Sequence, residues 1–311
     1  MNPSKYWPFN KRSLSKFEEP SNPHSLPGHL PGKPKTYINI LLFLLTILTT
    51  TLGGALMEVG EKIFDDPTTI VKGMPFSFSL MAILLSHELG HYLVAKKYGL
   101  SVTLPYFIPA PPYPFFIGTF GAFIKMRSPV RDRRMLIDVG AAGPLIGVLV
   151  SLPFLFYGFQ NSQLKPIYPE EGLQLGNSIL LSAINWLVVG DIPAGYDVAI
   201  HPVGFAGWIG LLITSFNLVP IGQLDGGHVL YGLIAERQKP ISKIIFVTLL
   251  ILGVIGWKGW LFWGFIIYIL GFRHPPPLEW WVPLDRRRKI IGWATMAVFI
   301  LTFIPVPFSG F

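Results

Sequence analysis

The sequence predicts an all-α polytopic membrane protein of about six to seven transmembrane helices with one re-entrant segment. Three observations carry that prediction. Long apolar runs recur along the chain, which is 51% hydrophobic with a mean hydropathy of +0.49. Charged residues make up 14%, against roughly 25% in soluble domains, so a water-facing surface is under-supplied. One apolar stretch is too rich in proline to be a helix. A large soluble protein with buried helices would need amphipathic covering helices, and almost none can be traced.

In chain order, residues 1–36 are rich in Pro and Ser and too long for the n-region of a cleaved signal peptide. They read as a cytoplasmic arm ahead of an uncleaved first span, with a transit peptide as the competing reading. Spans need about 20 mostly apolar residues. They are expected near 37–57, 74–95, 136–158, 203–219, 241–256, 260–272 and 289–305, several of them broken by Gly or Pro. Between the second and third lies 104–123, with Pro105, Pro109, Pro111, Pro112 and Pro114 among Phe, Tyr and Ile. That much proline forbids a continuous helix. Non-helical backbone survives at membrane depth only against protein or a wet cavity, so a re-entrant or interfacial element fits. The stretch 159–201 is the longest non-spanning one. Over Asn217–Gly227, Pro220, Gly222, Gly226 and Gly227 interrupt the apolar run. A broken membrane helix frees backbone groups and often marks a binding site, although a plain turn accounts for this stretch taken alone. The reading is one membrane-embedded domain over 37–305, with a short tail at 306–311.

The net charge is +8, yet its distribution argues against nucleic acid. If the spans alternate, 21 of the 25 basic residues fall on one side. They lie in the arm, from Lys96 to Arg134, from Arg237 to Lys243, and from Arg273 to Lys289. The opposite loops hold Glu58, Glu61, Asp65, Asp66, Glu170, Glu171, Asp191 and Asp197. This is the positive-inside pattern, and it places the N-terminus in the cytoplasm. The absence of cysteine excludes disulfides and thiolate ligands.

The chemistry-bearing feature is His87-Glu88-Leu89-Gly90-His91, inside an apolar segment. Residues at i and i+4 share a helix face about 5–6 Å apart, so both imidazoles reach one Zn²⁺, with Glu88 beside them to act on its water. Ionisable groups within a membrane helix are costly, and such residues are functional by default; a polar cluster joining helices is the competing reading. A catalytic zinc site has three protein ligands and one open position. Asp225, an acid at an apolar helix break, is the best third ligand. Asp132 sits in an arginine cluster, and Asp138 reads as a helix-opening residue favoured by the dipole. His228 is a candidate partner of the ligands, His201 ends a loop, and His24, His29 and His274 read as surface residues.

His87-Glu88-Leu89-Gly90-His91 followed by Asn217-x-x-Pro220-x-x-x-Leu224-Asp225-Gly226 resembles the paired signature of the site-2 protease family, the intramembrane zinc metalloproteases. The similarity covers roughly 74–236, the core of the domain, and includes Ile117–Ile124 and Gly140-Ala141-Ala142-Gly143-Pro144. It implies one Zn²⁺ per chain and Glu88 as the base that assists attack by the metal's water. The substrates implied are membrane-anchored proteins, cut in or near a transmembrane segment. Asn217 resembles the asparagine of the second signature and would bind the substrate backbone or the oxyanion. In the family a re-entrant β-hairpin occupies the place of 104–123, where Gly118 and Gly121 would allow close approach of substrate. Many relatives carry a PDZ domain between the signatures, and 159–201 is too short for one, so the PDZ-free branch is the closer likeness.

The implied setting is a bilayer, as a multi-pass protein of a prokaryotic cytoplasmic membrane or an organelle. No nucleic-acid partner is expected, and the sequence leaves the oligomeric state open. Two alternatives stand beside this reading. Another membrane zinc hydrolase would need a glutamate as third ligand, and none is suitably placed. A zinc or cation transporter would have no need of Glu88.

Overall fold

In the computed structural model, residues 36–112, 117–166, 174–272 and 274–309 are described. The arm expected over 1–36 lies outside them except for Thr36, as do the last two residues of the expected tail. The first helix, α1 (Thr36–Val59), is mostly apolar. A single turn, α2 (Lys62–Asp65), and a 3-10 turn over Pro67–Gly73 lead into α3 (Met74–Lys97). Phe76, Leu80, Ile83, Leu84, His87, His91 and Ala95 are the buried positions of α3 that recur every three or four residues. The histidine pair therefore continues the helix's own core-facing stripe. Lys96 and Lys97 close the last turn, where cations suit the helix dipole.

The proline-rich stretch folds as an antiparallel pair, β1 (Tyr106–Pro109) and β2 (Thr119–Phe123). Tyr106 stands opposite Phe123 and Phe107 opposite Ala122, with an irregularity before Pro109. Residues 113–116 of the connection are outside the described set. The pair is fastened to α1, whose buried Asn39 amide donates to the carbonyls of Leu104 and Pro105 at 3.0 and 2.9 Å. Thr49 on the same helix donates to the Gly118 carbonyl at 2.6 Å. Beyond the strands the ladder continues through Thr103 and Lys125.

Helix α4 (Arg133–Gln160) is the central element. Its N-cap is Asp132, whose carboxylate accepts from the Met135 N–H at 2.8 Å. Asp138, expected to open this helix, instead lies in its second turn and bridges to the end of α3. It accepts from the Tyr98 hydroxyl and from Arg288 Nη2, the latter at 2.9 Å. Burial, then the Asp138 carboxylate, holds the Tyr98 hydroxyl above the usual phenol range, so it remains a donor.

The stretch 159–201 contains β3 (Gln163–Pro166), β4 (Gln174–Leu175), the short apolar α5 (Ile179–Val188) and β5 (Tyr196–Ala199). Strands β3 and β5 pair antiparallel. Helix α6 (Pro202–Asn217) starts with His201, whose Nδ1 accepts from the Val203 N–H at 3.2 Å. Gly204 meets the Gly158 backbone and Gly207 meets Leu155, so small residues let α6 approach α4 closely.

Next come α7 (Asp225–Ile234), a 3-10 turn, α8 (Gln238–Ile255), α9 (Gly259–Leu270), α10 (Arg286–Thr302) and β6 (Phe308–Ser309), which pairs with β4. Trp208, Leu211, Phe216 and Trp260 centre the main apolar core together with Phe76 and Leu155.

Four helical segments are long and apolar enough to cross a membrane: Thr36–Val59, Pro67–Lys97, Arg133–Gln160 and Asp225–Ile255. The expected spans near 203–219 and 260–272 are helices of 16 and 12 residues. The one expected near 289–305 is a 17-residue helix opening on three arginines and a lysine. The expected count of six to seven includes these three shorter helices, whereas four segments among the described residues have the length and composition to span.

Candidate metal centre

Two segments far apart in sequence, α3 and the start of α7, meet at the C-terminal half of α3. His87 and His91 share the buried face of that helix, with their Nε2 atoms 3.2 Å apart. Asp225, the first residue of α7, places Oδ2 3.4 Å from His87 Nε2 and 3.1 Å from His91 Nε2. Its position follows from the broken helix before it. Pro220 ends the run from α6, and Gly226 and Gly227 pack directly on the backbone of 218–222. Any side chain there would hold α7 away from the turn.

The triangle of donor atoms fits a tetrahedral zinc ion. Ligands about 2.0–2.1 Å from such an ion stand about 3.3 Å from each other. The proton inventory agrees. His91 Nδ1 lies 2.8 Å from the Val139 carbonyl, an acceptor only, so Nδ1 carries a hydrogen and Nε2 is the nitrogen turned towards Asp225. Imidazole nitrogen and carboxylate oxygen are donors that zinc accepts, and they are the atoms these three residues bring together. The three residues are the metal-capable cluster found among the described residues.

Helix α4 sets the depth of this centre. A Cβ at Gly143 would run into the His91 ring, and one at Gly147 would come within 2.9 Å of His87 Nδ1. In return, Gly90 of α3 lies against the Ala142 carbonyl. The small residues of Gly140–Pro144 therefore let two helices close around two imidazoles.

Glu88 is 5% exposed and shares a cavity wall with Ile124, just after β2. It opens on a cavity of about 220 Å³ lined also by His87, Phe123, Asn217, Asp225 and His228. Strand β2 thus runs along the rim of the cavity. Asn217, the last residue of α6, has Nδ2 3.4 Å from His87 Nε2, at the long limit of a hydrogen bond.

Gly118 and Gly121 both have positive φ, +75° and +99°, a region that only glycine adopts without strain. Neither lines the cavity. Gly118 faces α1, where a Cβ would strike the backbone of Thr49, and the space beside Gly121 is open.

One expectation is corrected. His274 is not a surface residue: it is 9% exposed, stacks on Tyr231 with ring centroids 4.6 Å apart, and sets Nε2 2.6 Å from His228 Nδ1. His24 and His29 lie outside the described residues. Sequence reasoning missed His274 because its partner is 46 positions away. The one local signal was the run Pro275-Pro276-Pro277, which stiffens the chain that follows it.

Comparison with known proteins gives a consistent picture. Residues 75–255 match the model for Peptidase family M50. Over 294 residues the chain is 30% identical to "Probable zinc metalloprotease EGY1, chloroplastic" of Oryza sativa subsp. japonica, covering 86% of this chain and 49% of that protein. It is 29% identical to the protein of the same name from Arabidopsis thaliana, covering 86% and 53%. A third relative, "Probable zinc metalloprotease EGY2, chloroplastic" of Oryza sativa subsp. indica, is 29% identical over 256 residues, covering 79% and 45%. The chain spans about half the length of the curated relatives it matches.

Proposed function

Because this chain belongs to peptidase family M50, the site-2 protease family, we propose that it is a membrane-embedded zinc metalloendopeptidase acting on membrane-anchored proteins. Cleavage falls in or near a transmembrane segment, close to the cytoplasmic face, and releases a domain from its anchor. The observation that carries the reading is the 3.1–3.4 Å triangle of His87, His91 and Asp225 with Glu88 buried beside it. His87, His91 and Asp225 hold one zinc ion. Bound there, zinc would supply a water of pKa about 7 and a Lewis acid for the scissile carbonyl.

The protein's own groups do the rest. Glu88 takes the proton of the attacking water and returns it to the leaving amine. It is buried at the wall of the cavity, beside His87 and Asp225. Asn217 stands at the cavity with an amide that can donate to the oxygen on which charge develops. The hairpin of β1 and β2 acts as the re-entrant element. A helical substrate hides its peptide bonds, so it must be held extended, and β2 is paired on one side by β1. Its other edge can take a substrate strand by β-augmentation, with affinity from backbone hydrogen bonds. Gly121, with open space beside it, permits that approach. The orientation is N-terminus in the cytoplasm, from the distribution of basic residues.

Purified protein, assayed for zinc content and for cleavage of a single-pass membrane substrate, tests the reading against Glu88→Gln. One zinc in both with cleavage only by the wild type supports it. Zinc in both, zinc flux into proteoliposomes and no cleavage would favour a transporter instead.

A further inference from the structure

A second histidine pair stands beside the metal centre. His228, in the first turns of α7, lines the same cavity as Glu88. Its Nδ1 is 2.6 Å from Nε2 of His274, and His274 Nδ1 is 2.6 Å from the Pro275 carbonyl. A carbonyl only accepts, so His274 Nδ1 carries a hydrogen. Burial pushes the His274 imidazole below its ordinary value, which keeps the ring neutral and leaves Nε2 as an acceptor. The hydrogen between the two rings then belongs to His228 Nδ1. His228 Nε2 is left as a lone pair.

Both rings are held in place. The residue before a proline is confined to extended backbone, and His274 precedes Pro275, with its ring face against Tyr231. On the other side, the His228 Cβ sits 3.0 Å from where a Cβ on Gly140 would stand, so α4 fits around it. An extended peptide alternates the direction of its backbone N–H groups. A strand lying along β2 satisfies one edge and leaves the N–H groups of its other edge in need of acceptors.

We propose that His274 fixes the tautomer of His228 so that His228 Nε2 accepts a hydrogen bond from a substrate backbone N–H beside the scissile bond. His228 is then a substrate-orienting residue, and His274 is the positioning residue behind it. The substrate half of this inference rests on the protease reading above; the relay between the histidines does not. Its ligand class is an extended peptide backbone, recognised without regard to side chain.

The test has two arms on the zinc-loaded full chain. Imidazole ¹⁵N NMR should find His228 protonated at Nδ1 in the wild type and at Nε2 in His274→Ala. In cleavage kinetics, His274→Ala should raise KM about tenfold, the loss of one buried hydrogen bond's worth of binding. Its zinc content should be unchanged and its kcat within about twofold, because such a bond acts on ground and transition states alike. His274→Gln, whose amide oxygen can accept from His228 Nδ1, should recover most of the KM.

His228 protonated at Nε2 in the wild type would overturn the relay. An unchanged KM in His274→Ala would overturn the substrate contact, and so would zinc loss in that variant, which would make the pair a support for the metal. No cleavage by the wild type, with zinc bound and the tautomers as assigned, would overturn the protease reading and the substrate contact with it, while upholding the relay.

Discussion

Asp225 Oδ2 lies 3.1 Å from His91 Nε2 although 134 positions separate the two residues. The chain between them supplies the means. Helix α4 packs on both α3 and α7 and presents Gly143 to His91 and Gly140 to the start of α7. The distance from acid to imidazole is thus set by a helix that donates no ligand.

If Asp225 completes the metal site, Asp225→Ala should weaken zinc binding by more than about a hundredfold, since even outer partners of a ligand are worth 10–100-fold. Metal content after dialysis against a chelator of graded strength would measure it. Retention of zinc at wild-type affinity would remove Asp225 from the ligand set.

Gly143→Ala adds one methyl group where the His91 ring already stands. The expected cost is about 1–3 kcal/mol of stability, the range for overpacking a closed core, with weaker zinc binding in parallel. Thermal unfolding with and without zinc would separate the two. An alanine that left both unchanged would show that α3 and α4 are not pressed together at this point.

Asp138 joins α4 to Tyr98, just beyond α3, and to Arg288 on α10. These are partly buried, charge-assisted contacts, and removing the carboxylate leaves a guanidinium without its main partner. Asp138→Ala should therefore cost about 1.5–3 kcal/mol and Tyr98→Phe about 1 kcal/mol or less. Unfolding midpoints of the two variants, ranked in that order, are the check; equal losses would contradict it.

Asp285 caps α10, accepting from the Arg288 N–H at 2.9 Å. That backbone bond first, and the Arg288 guanidinium with it, holds the Asp285 carboxyl below the usual carboxylate range. A group with a lowered folded-state pKa stabilises fully above its unfolded value, about pH 4, and the contribution is lost as pH falls through the folded value. The gap in unfolding temperature between wild type and Asp285→Asn should be constant from about pH 7 to 5 and close in acid. A gap that widens in acid would reverse the sign.

The parts of this architecture that rest on local pattern were legible in the sequence. A histidine pair at i and i+4 needs only one helix to become a pair in space, and Asp225 stood out because an acid at an apolar helix break is expensive. Proline density forecast that 104–123 would not be helical, and β1 and β2 are the result. What could not be read depends on partners remote in sequence. Asp138 passed as a dipole residue because Arg288, 150 positions later, gives no local sign. His274 passed as exposed because nothing near it predicts Tyr231 as a neighbour. The difference between the expected spans and the four long helices has the same root. Composition records how apolar a run is, whereas the arginines opening α10 and the short reach of α6 and α9 emerge only with the helix ends.

Arg288 and His274 belong to the last quarter of the chain, yet one reaches the beginning of α4 and the other leans on α7. For anyone engineering this protein, that makes the C-terminal quarter a clasp rather than an appendage. A fragment ending with α8 would retain every expected zinc ligand while leaving Asp138 with a lone phenol and one face of Tyr231 bare. Such a fragment should be handled as a looser molecule than its parent. Reporter fusions belong beyond Ser309, where they leave the clasp shut.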